Sequence, residues 1–270
     1  FVIDSNSRIS LSNNDSGTGN TIFGHTAGNA ITGGYSTFIG YHAGLVHTSG
    51  GYNMAIGYGA MDDTNAGSNS LGSTENIFIG VDSGGGTWAN TASSYNVALG
   101  SYTMDAALDG AIYNVSVGYR SLSALTEGDY NTVVGAESGL DQTTAVANSF
   151  FGFRAGYDIV GGGENTFIGS GAGLLTTAVV GATLIGRECG GGGIITTGAN
   201  YTTAVGYQAL YSLTSGGNNI GIGVSAGGKI TSGTDNTLIG RQSGYQGTYG
   251  LTTGDHNTAL GSNTFGASAN

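Results

Sequence analysis

The chain has 270 residues, 54 of them Gly and none Pro; charged residues are only 9% and the formal net charge is −11. Gly costs about 1 kcal/mol per helical position, so a helical bundle is excluded, and the absence of Pro and of a Gly-X-Y period excludes collagen. The acidic balance predicts no nucleic-acid partner, and no apolar run reaches the roughly 18 residues of a membrane helix, so no membrane insertion is expected.

The chain opens at Phe1, which suggests a processed protein or a fragment. Residues 1–19 are expected to form a cap or connector, 20–265 a repeat domain and 266–270 a short tail. The repeat is Asn, any, apolar, apolar, Gly, any, any, small. Its central glycines are Gly24, Gly40, Gly57, Gly80, Gly100, Gly118, Gly135, Gly152, Gly169, Gly186, Gly206, Gly223, Gly240 and Gly261, most often 17 residues apart. Longer steps mark insertions at 62–75, 84–95, 105–113, 190–201 and 245–256. A fixed short period of this kind is the signature of stacked coils.

With the central Gly as position zero, −4 is Asn in eleven of the fourteen copies, including Asn20, Asn53, Asn131, Asn165 and Asn236. Ser36, Ala182 and Thr202 are the exceptions. A stacked asparagine column is expected where each strand begins, since Asn tolerates left-handed backbone and bonds to its own main chain. Position −1 is always apolar and −3 is mostly Thr, Ile or Val, β-branched types that favour strands. These two positions share a face, which is expected to point inward. Position +3 is always small, and Cys189 takes it in the tenth copy, as a small buried residue.

Positions −2 and +4 compensate each other. A large −2 goes with Gly at +4, as in Phe38/Gly44, Phe78/Gly84, Phe150/Gly156 and Phe167/Gly173. A small −2 goes with a large +4, as in Ala55/Met61, Ala98/Met104 and Ala204/Leu210. Only Gly221/Gly227 departs from the rule. Close packing explains the pattern if both side chains fill one space, with a bend between them. It also gives each coil a second apolar face.

Thr recurs at −9 in nine copies, among them Thr48, Thr126, Thr214 and Thr231, commonly with Gly two residues later. This predicts a second, shorter strand and a glycine turn. Tyr recurs at −5 (Tyr35, Tyr52, Tyr95, Tyr113, Tyr130, Tyr201) and predicts a structural aromatic column. The expected fold is therefore all-β: a parallel β-solenoid, of β-roll or β-helix type, with about 14 coils. At about 4.8 Å per coil it is a rod about 65 Å long. Its core is thin and its second apolar face is left wet in a monomer, which predicts an oligomer, three chains around an axis being the expected closure.

Asn-Thr-Phe-Ile-Gly (165–169), Thr-Ala-Val-Gly-Tyr-Gln-Ala-Leu (203–210), Asn-Thr-Leu-Ile-Gly (236–240) and the opening Arg-Ile-Ser-Leu-Ser-Asn-Asn-Asp-Ser-Gly (8–17) resemble the repeats of phage tail fibres and related tail-fibre-domain proteins. The Asn-x-x-x-Ile-Gly core is also similar to head repeats of trimeric autotransporter adhesins. The resemblance implies a homotrimeric, elongated, non-enzymatic fibre of a virion, engaged in host attachment or in presenting a receptor-binding tip. Its partners would be other virion or appendage proteins and a host glycan or receptor. Many such fibres end in a self-cleaving chaperone domain, which would be cut off or dispensed with here. A bacterial surface adhesin is the alternative; an ice-binding protein and a polysaccharide depolymerase are weaker ones.

No Walker pattern, dinucleotide fingerprint, Ser/His/Asp set or zinc-ligand spacing occurs, and no cofactor is expected. His42 and His47 are close enough in sequence to meet but read as two solvated histidines. Asp62/Asp63 reads as a wet turn in an insertion. If a glycan is bound laterally, the insertions are the place, with Trp88, Asp62 and Asp63 as candidate contacts.

Overall fold

The structure, a computed structural model, describes residues 2–3, 9–10, 18–64, 72–245 and 251–265. Most of the expected connector, parts of the insertions at 62–75 and 245–256, and the tail 266–270 lie outside the described residues. The protein is an all-β parallel β-solenoid. It divides into two compact units, Phe1–Asp129 and Tyr130–Asn270.

The first unit begins with two short strands, β1 (Val2–Ile3) and β2 (Ile9–Ser10), which pair antiparallel. A parallel ladder follows: β3 (Thr21–Phe23), β4 (Thr37–Ile39), β5 (Met54–Ile56), β6 (Ile77–Ile79), β7 (Val97–Leu99) and β8 (Val115–Val117). The second unit is a parallel ladder of β9 (Thr132–Val134), β10 (Ser149–Phe151), β11 (Thr166–Ile168), β12 (Thr183–Ile185), β13 (Thr203–Val205), β14 (Ile220–Ile222), β15 (Thr237–Ile239) and β16 (Thr258–Leu260). Each of β3–β16 covers positions −3 to −1 of one repeat copy. Register holds across insertions: Met54 pairs with Ile77 just as Thr37 pairs with Met54.

The orientation of these strands corrects the sequence expectation. The middle residue, −2, points inward, and Phe38, Phe78, Phe150 and Phe167 are fully buried. Positions −3 and −1 are half-buried or exposed; Phe23 retains 65% of its surface and Leu260 76%. A three-residue strand has only two faces, and the residue that shares space with +4 takes the inner one. Shared space is confirmed by the glycines at +4. A Cβ on Gly173 would stand 2.7 Å from the Phe167 ring, and one on Gly84 2.7 Å from the Phe78 ring. The exception also resolves: a Cβ on Gly221 would meet Leu210 at 2.8 Å, so the preceding coil's +4 side chain fills that place.

The turn after each strand needs left-handed backbone at three places: the central Gly, +2 and +4, as at Gly169 (φ 132), Gly171 (φ 66) and Gly173 (φ 60). At the central position glycine is required twice over. Besides its φ, a Cβ on Gly169 would lie 2.7 Å from the carbonyl of Gly186 in the next coil. Non-Gly residues accept the milder φ at +2 and +4, as Met104 (φ 47) and Leu122 (φ 51) do.

The asparagine column is present, buried, and bonded coil to coil. Asn53 Oδ1 accepts from the Asn76 backbone N–H (3.0 Å) and Nδ2 (3.1 Å), and Asn76 Oδ1 serves Asn96 in the same way. In the second unit Asn148 serves Asn165, and Asn219 serves Asn236. Most Nδ2 groups also reach a carbonyl of the neighbouring coil, as Asn165 does to Val179 O at 2.8 Å, whereas the Nδ2 of Asn148 is buried without a partner. The left-handed residue is the one before the Asn, and most of the bonds go to neighbouring coils, with local main-chain bonds made as well by Asn114, Asn219 and Asn257. Ala182 ends one run: it donates its N–H to Asn165 Oδ1 but offers nothing to Thr202, whose Oγ1 is buried without a partner.

The strand expected around −9 does not form among the described residues. Coils there touch through single bonds, such as Thr214 N to Thr231 O (2.8 Å), and through isolated bridges at Ser94–Ile112 and Val146–Gly163–Val180. Glycine turns leave too few consecutive extended residues for a ladder. Cys189 is a buried free thiol whose Sγ–H donates to Ala204 O (3.3 Å), and burial pushes its pKa up to about 12.

Candidate functional site

Two classes of surface residue are ordered by the coil. The first is the outward face of the strands. In unit 1 it carries Phe23, Ile39, Ile56, Ile79, Leu99 and Val117 at −1; in unit 2 it carries Phe151, Ile168, Ile222 and Leu260 among others. At −3 unit 1 carries Thr21 and Thr37, then Met54, Ile77, Val97 and Val115, while unit 2 carries Thr except at Ser149 and Ile220. Such a continuous apolar stripe on each ladder has the character of an interface. The sequence had assigned this stripe to the core; the volume pairing of −2 with +4 was the signal for the true inner face.

The second class is aromatic. At −5, left-handed backbone (φ 57 to 63 at the tyrosines) aims each side chain outward in register. The rings of Tyr35 and Tyr52 stack at 5.2 Å, and those of Tyr95 and Tyr113 at 4.8 Å. A parallel column at +1 stacks His25, Tyr41 and Tyr58 at 5.3 and 5.2 Å.

The candidate contact Trp88 is not at the surface. It is fully buried, edge-on to Phe78 at 5.6 Å, and its Nε1–H donates to Gly84 O at 2.9 Å. The 84–95 insertion folds this side chain back into the coil against the Phe78 ring, so Trp88 offers no stacking face. Leu108 and Ile195, from other insertions, are buried in the same manner.

Asp62 and Asp63 remain at the surface. Asp63 Oδ2 accepts from Thr87 Oγ1 at 2.6 Å. Asp62 is half-buried; desolvation, then the charges of Asp82 and Asp63, push its pKa up to about 6. Asp105 is likewise raised to about 6 by desolvation and by Asp82 and Asp62. These acids are spaced along successive coils, and among the described residues no group of His, Cys, Asp and Glu gathers as a metal site.

His42 and His47 do not meet, and only His42 is at the surface, 3.8 Å from the Tyr41 ring. His47 is fully buried, which corrects the expectation of a solvated residue. It stands ten residues before its central glycine, where Leu125, Leu213 and Ile230 point into the core. Its Nε2 lies 3.0 Å from Gly50 O and from Asn53 Nδ2, and its Nδ1 3.2 Å from Thr64 Oγ1. Burial lowers its pKa to about 4.

These groups predict opposing pH trends. Asp62 and Asp105 have folded pKa values above those of the unfolded chain, so their contribution is favourable at acid pH and lost as pH rises through about 6. Asp62→Asn with Asp105→Asn should raise the melting temperature at pH 7.5 by a few degrees, each removing roughly 1 kcal/mol of solvent-screened cost, and should bring no gain at pH 4. His47 has a lowered folded pKa, so its contribution is complete above 6.5 and lost as pH falls toward 4, by about 3 kcal/mol. His47→Leu should flatten that acid limb in thermal melts.

No protein-family model, curated protein or solved structure matches the chain.

Proposed function

We propose that the chain is a non-enzymatic structural segment of an extracellular fibre, homotrimeric and belonging to a phage tail fibre or similar virion appendage that attaches to a host or presents a binding tip. One observation supports this above the others. The coils direct their buried amides and glycines at one another and leave an ordered apolar stripe facing outward, the arrangement expected of a repeat that associates side by side with its own copies. The stripe is built by strand positions and so repeats with every coil, as a fibre interface requires.

Antibody labelling of the source particle in the electron microscope tests this reading. The expected result is label on an external appendage of a virion, with the antibody blocking adsorption to the host. Label on a bacterial surface would favour the adhesin reading, which shares the same interface. Label confined to the cell interior would refute both.

A further inference from the structure

The −5 column of unit 1 runs Tyr35, Tyr52, Glu75, Tyr95, Tyr113. All five residues have φ between 57 and 63, so all project from the coil in the same way. Neighbouring rings stand one coil apart, at 5.2 Å and 4.8 Å. Glu75 is the place where a ring is missing. Beside it lies a cavity of about 460 Å³ lined by Tyr52, Glu75 and Ile77. We propose that this notch binds an organic cation, best a planar guanidinium, held between Tyr52 and Tyr95 with the Glu75 carboxylate as its counter-charge.

Dimensions support this ligand. Tyr52 and Tyr95 are two coils apart, about 10 Å by the usual strand spacing, so a flat group midway stands about 5 Å from each ring. That is within the reach of about 6 Å for a cation over an aromatic face. The Glu75 carboxylate has no cation partner among the described residues, where the ion pairs are Arg154–Glu137, Arg187–Glu188 and His256–Asp235. The net charge of −11 draws cations to the chain as a whole. A neutral sugar would use the rings but would leave the carboxylate charge unanswered.

The protein also builds the occupied form of this site. Arg154 lies 4.9 Å from the Phe153 ring centroid and 5.1 Å from that of Tyr157, while its Nε–H donates to Glu137 at 2.7 Å. Arg187 has a simpler version, with one ring, Tyr207 (5.7 Å), and Glu188. Two aromatic rings and a glutamate around a guanidinium is thus a solution this chain uses, and at Glu75 the same groups are present without the arginine. The natural source is an arginine side chain of a partner protein or free arginine-like metabolites, which offer the same head group.

The test is calorimetric titration and saturation-transfer NMR of the full chain with methylguanidinium, at low salt. An arginine-containing tripeptide amide and free agmatine serve as the two source arms, and methyl glucopyranoside as the neutral ring. The expected result is saturable binding of methylguanidinium on the order of millimolar. Glu75→Gln should weaken it about 10-fold, and Tyr52→Leu or Tyr95→Leu about 5-fold each. Glu75→Tyr, which completes the column with a ring, should abolish it while leaving the melting temperature unchanged. Tighter binding of the tripeptide points to a protein partner, and of agmatine to a small molecule. Absence of saturable binding at 100-millimolar order, equal binding by Glu75→Gln, or binding of the glucopyranoside in preference to the cation would each overturn the proposal.

Discussion

Gly169→Ala should lower the melting temperature by about 10 °C, whereas Gly161→Ala should leave it unchanged or slightly raised. The two substitutions add the same methyl group to glycines eight residues apart. At Gly169 the methyl meets a φ of 132 and the backbone of Gly186 at 2.7 Å. The strained backbone costs about 1–3 kcal/mol, and the overlap can be relieved only by opening the ladder to the next coil, for a total near 4 kcal/mol. At Gly161 no atom lies within 4 Å and φ is ordinary, so the methyl only reduces the freedom of the unfolded chain. Thermal melts of the two variants beside the parent decide the matter. Equal losses would mean that the coils are not stacked backbone on backbone at the central glycines.

Exchanging volume across the bend of one coil should be far cheaper than changing either side alone. Phe167→Ala removes a fully buried ring and should cost about 3–5 kcal/mol. Gly173→Met alone forces a side chain into the Phe167 ring and should cost about 1–3 kcal/mol. The double variant reproduces the Ala/Met pairs that the chain already carries at Ala55/Met61 and Ala98/Met104, all fully buried. It should therefore recover most of the loss, with a favourable coupling of at least about 3 kcal/mol in denaturant titration. A residual deficit of about 1 kcal/mol is expected from the lost Phe150–Phe167 stack at 4.8 Å. Simple additivity of the two losses would show that the side chains do not share a space.

The pairing of −2 with +4 also shows how far the sequence could be read. The central glycines located all fourteen strands of the two ladders, because a residue type that alone tolerates the required φ and close approach leaves no freedom of register. The asparagine column was visible for a similar reason, although its bonds run between coils. The facing of the strands was misassigned because β-branched residues at −3 and −1 suggest burial by type, while only the compensation between −2 and +4 reports burial by contact. Trp88 was placed at the surface because it sits in an insertion, and insertions are usually wet; here the insertion returns a large ring to the core, edge-on to Phe78. His47 was misread because one residue type, seen alone, outweighed its alignment with Leu125, Leu213 and Ile230. The notch at Glu75 needed the ring spacings of its neighbours, since a glutamate in a tyrosine column looks in sequence like a mere gap.

The outward strand face ties these corrections to function. Reversing the two faces leaves the expectation of an apolar surface in place but moves it to Phe151, Ile168 and their equivalents, which are now the residues to change. The most direct measurement is the molar mass in solution by light scattering, for the parent and for a Phe151→Lys, Ile168→Lys variant. The account predicts a parent mass near three times 26.8 kDa and a variant shifted toward the single-chain mass with its β-structure retained. A folded parent of 26.8 kDa, or a trimer indifferent to charges on this face, would contradict it.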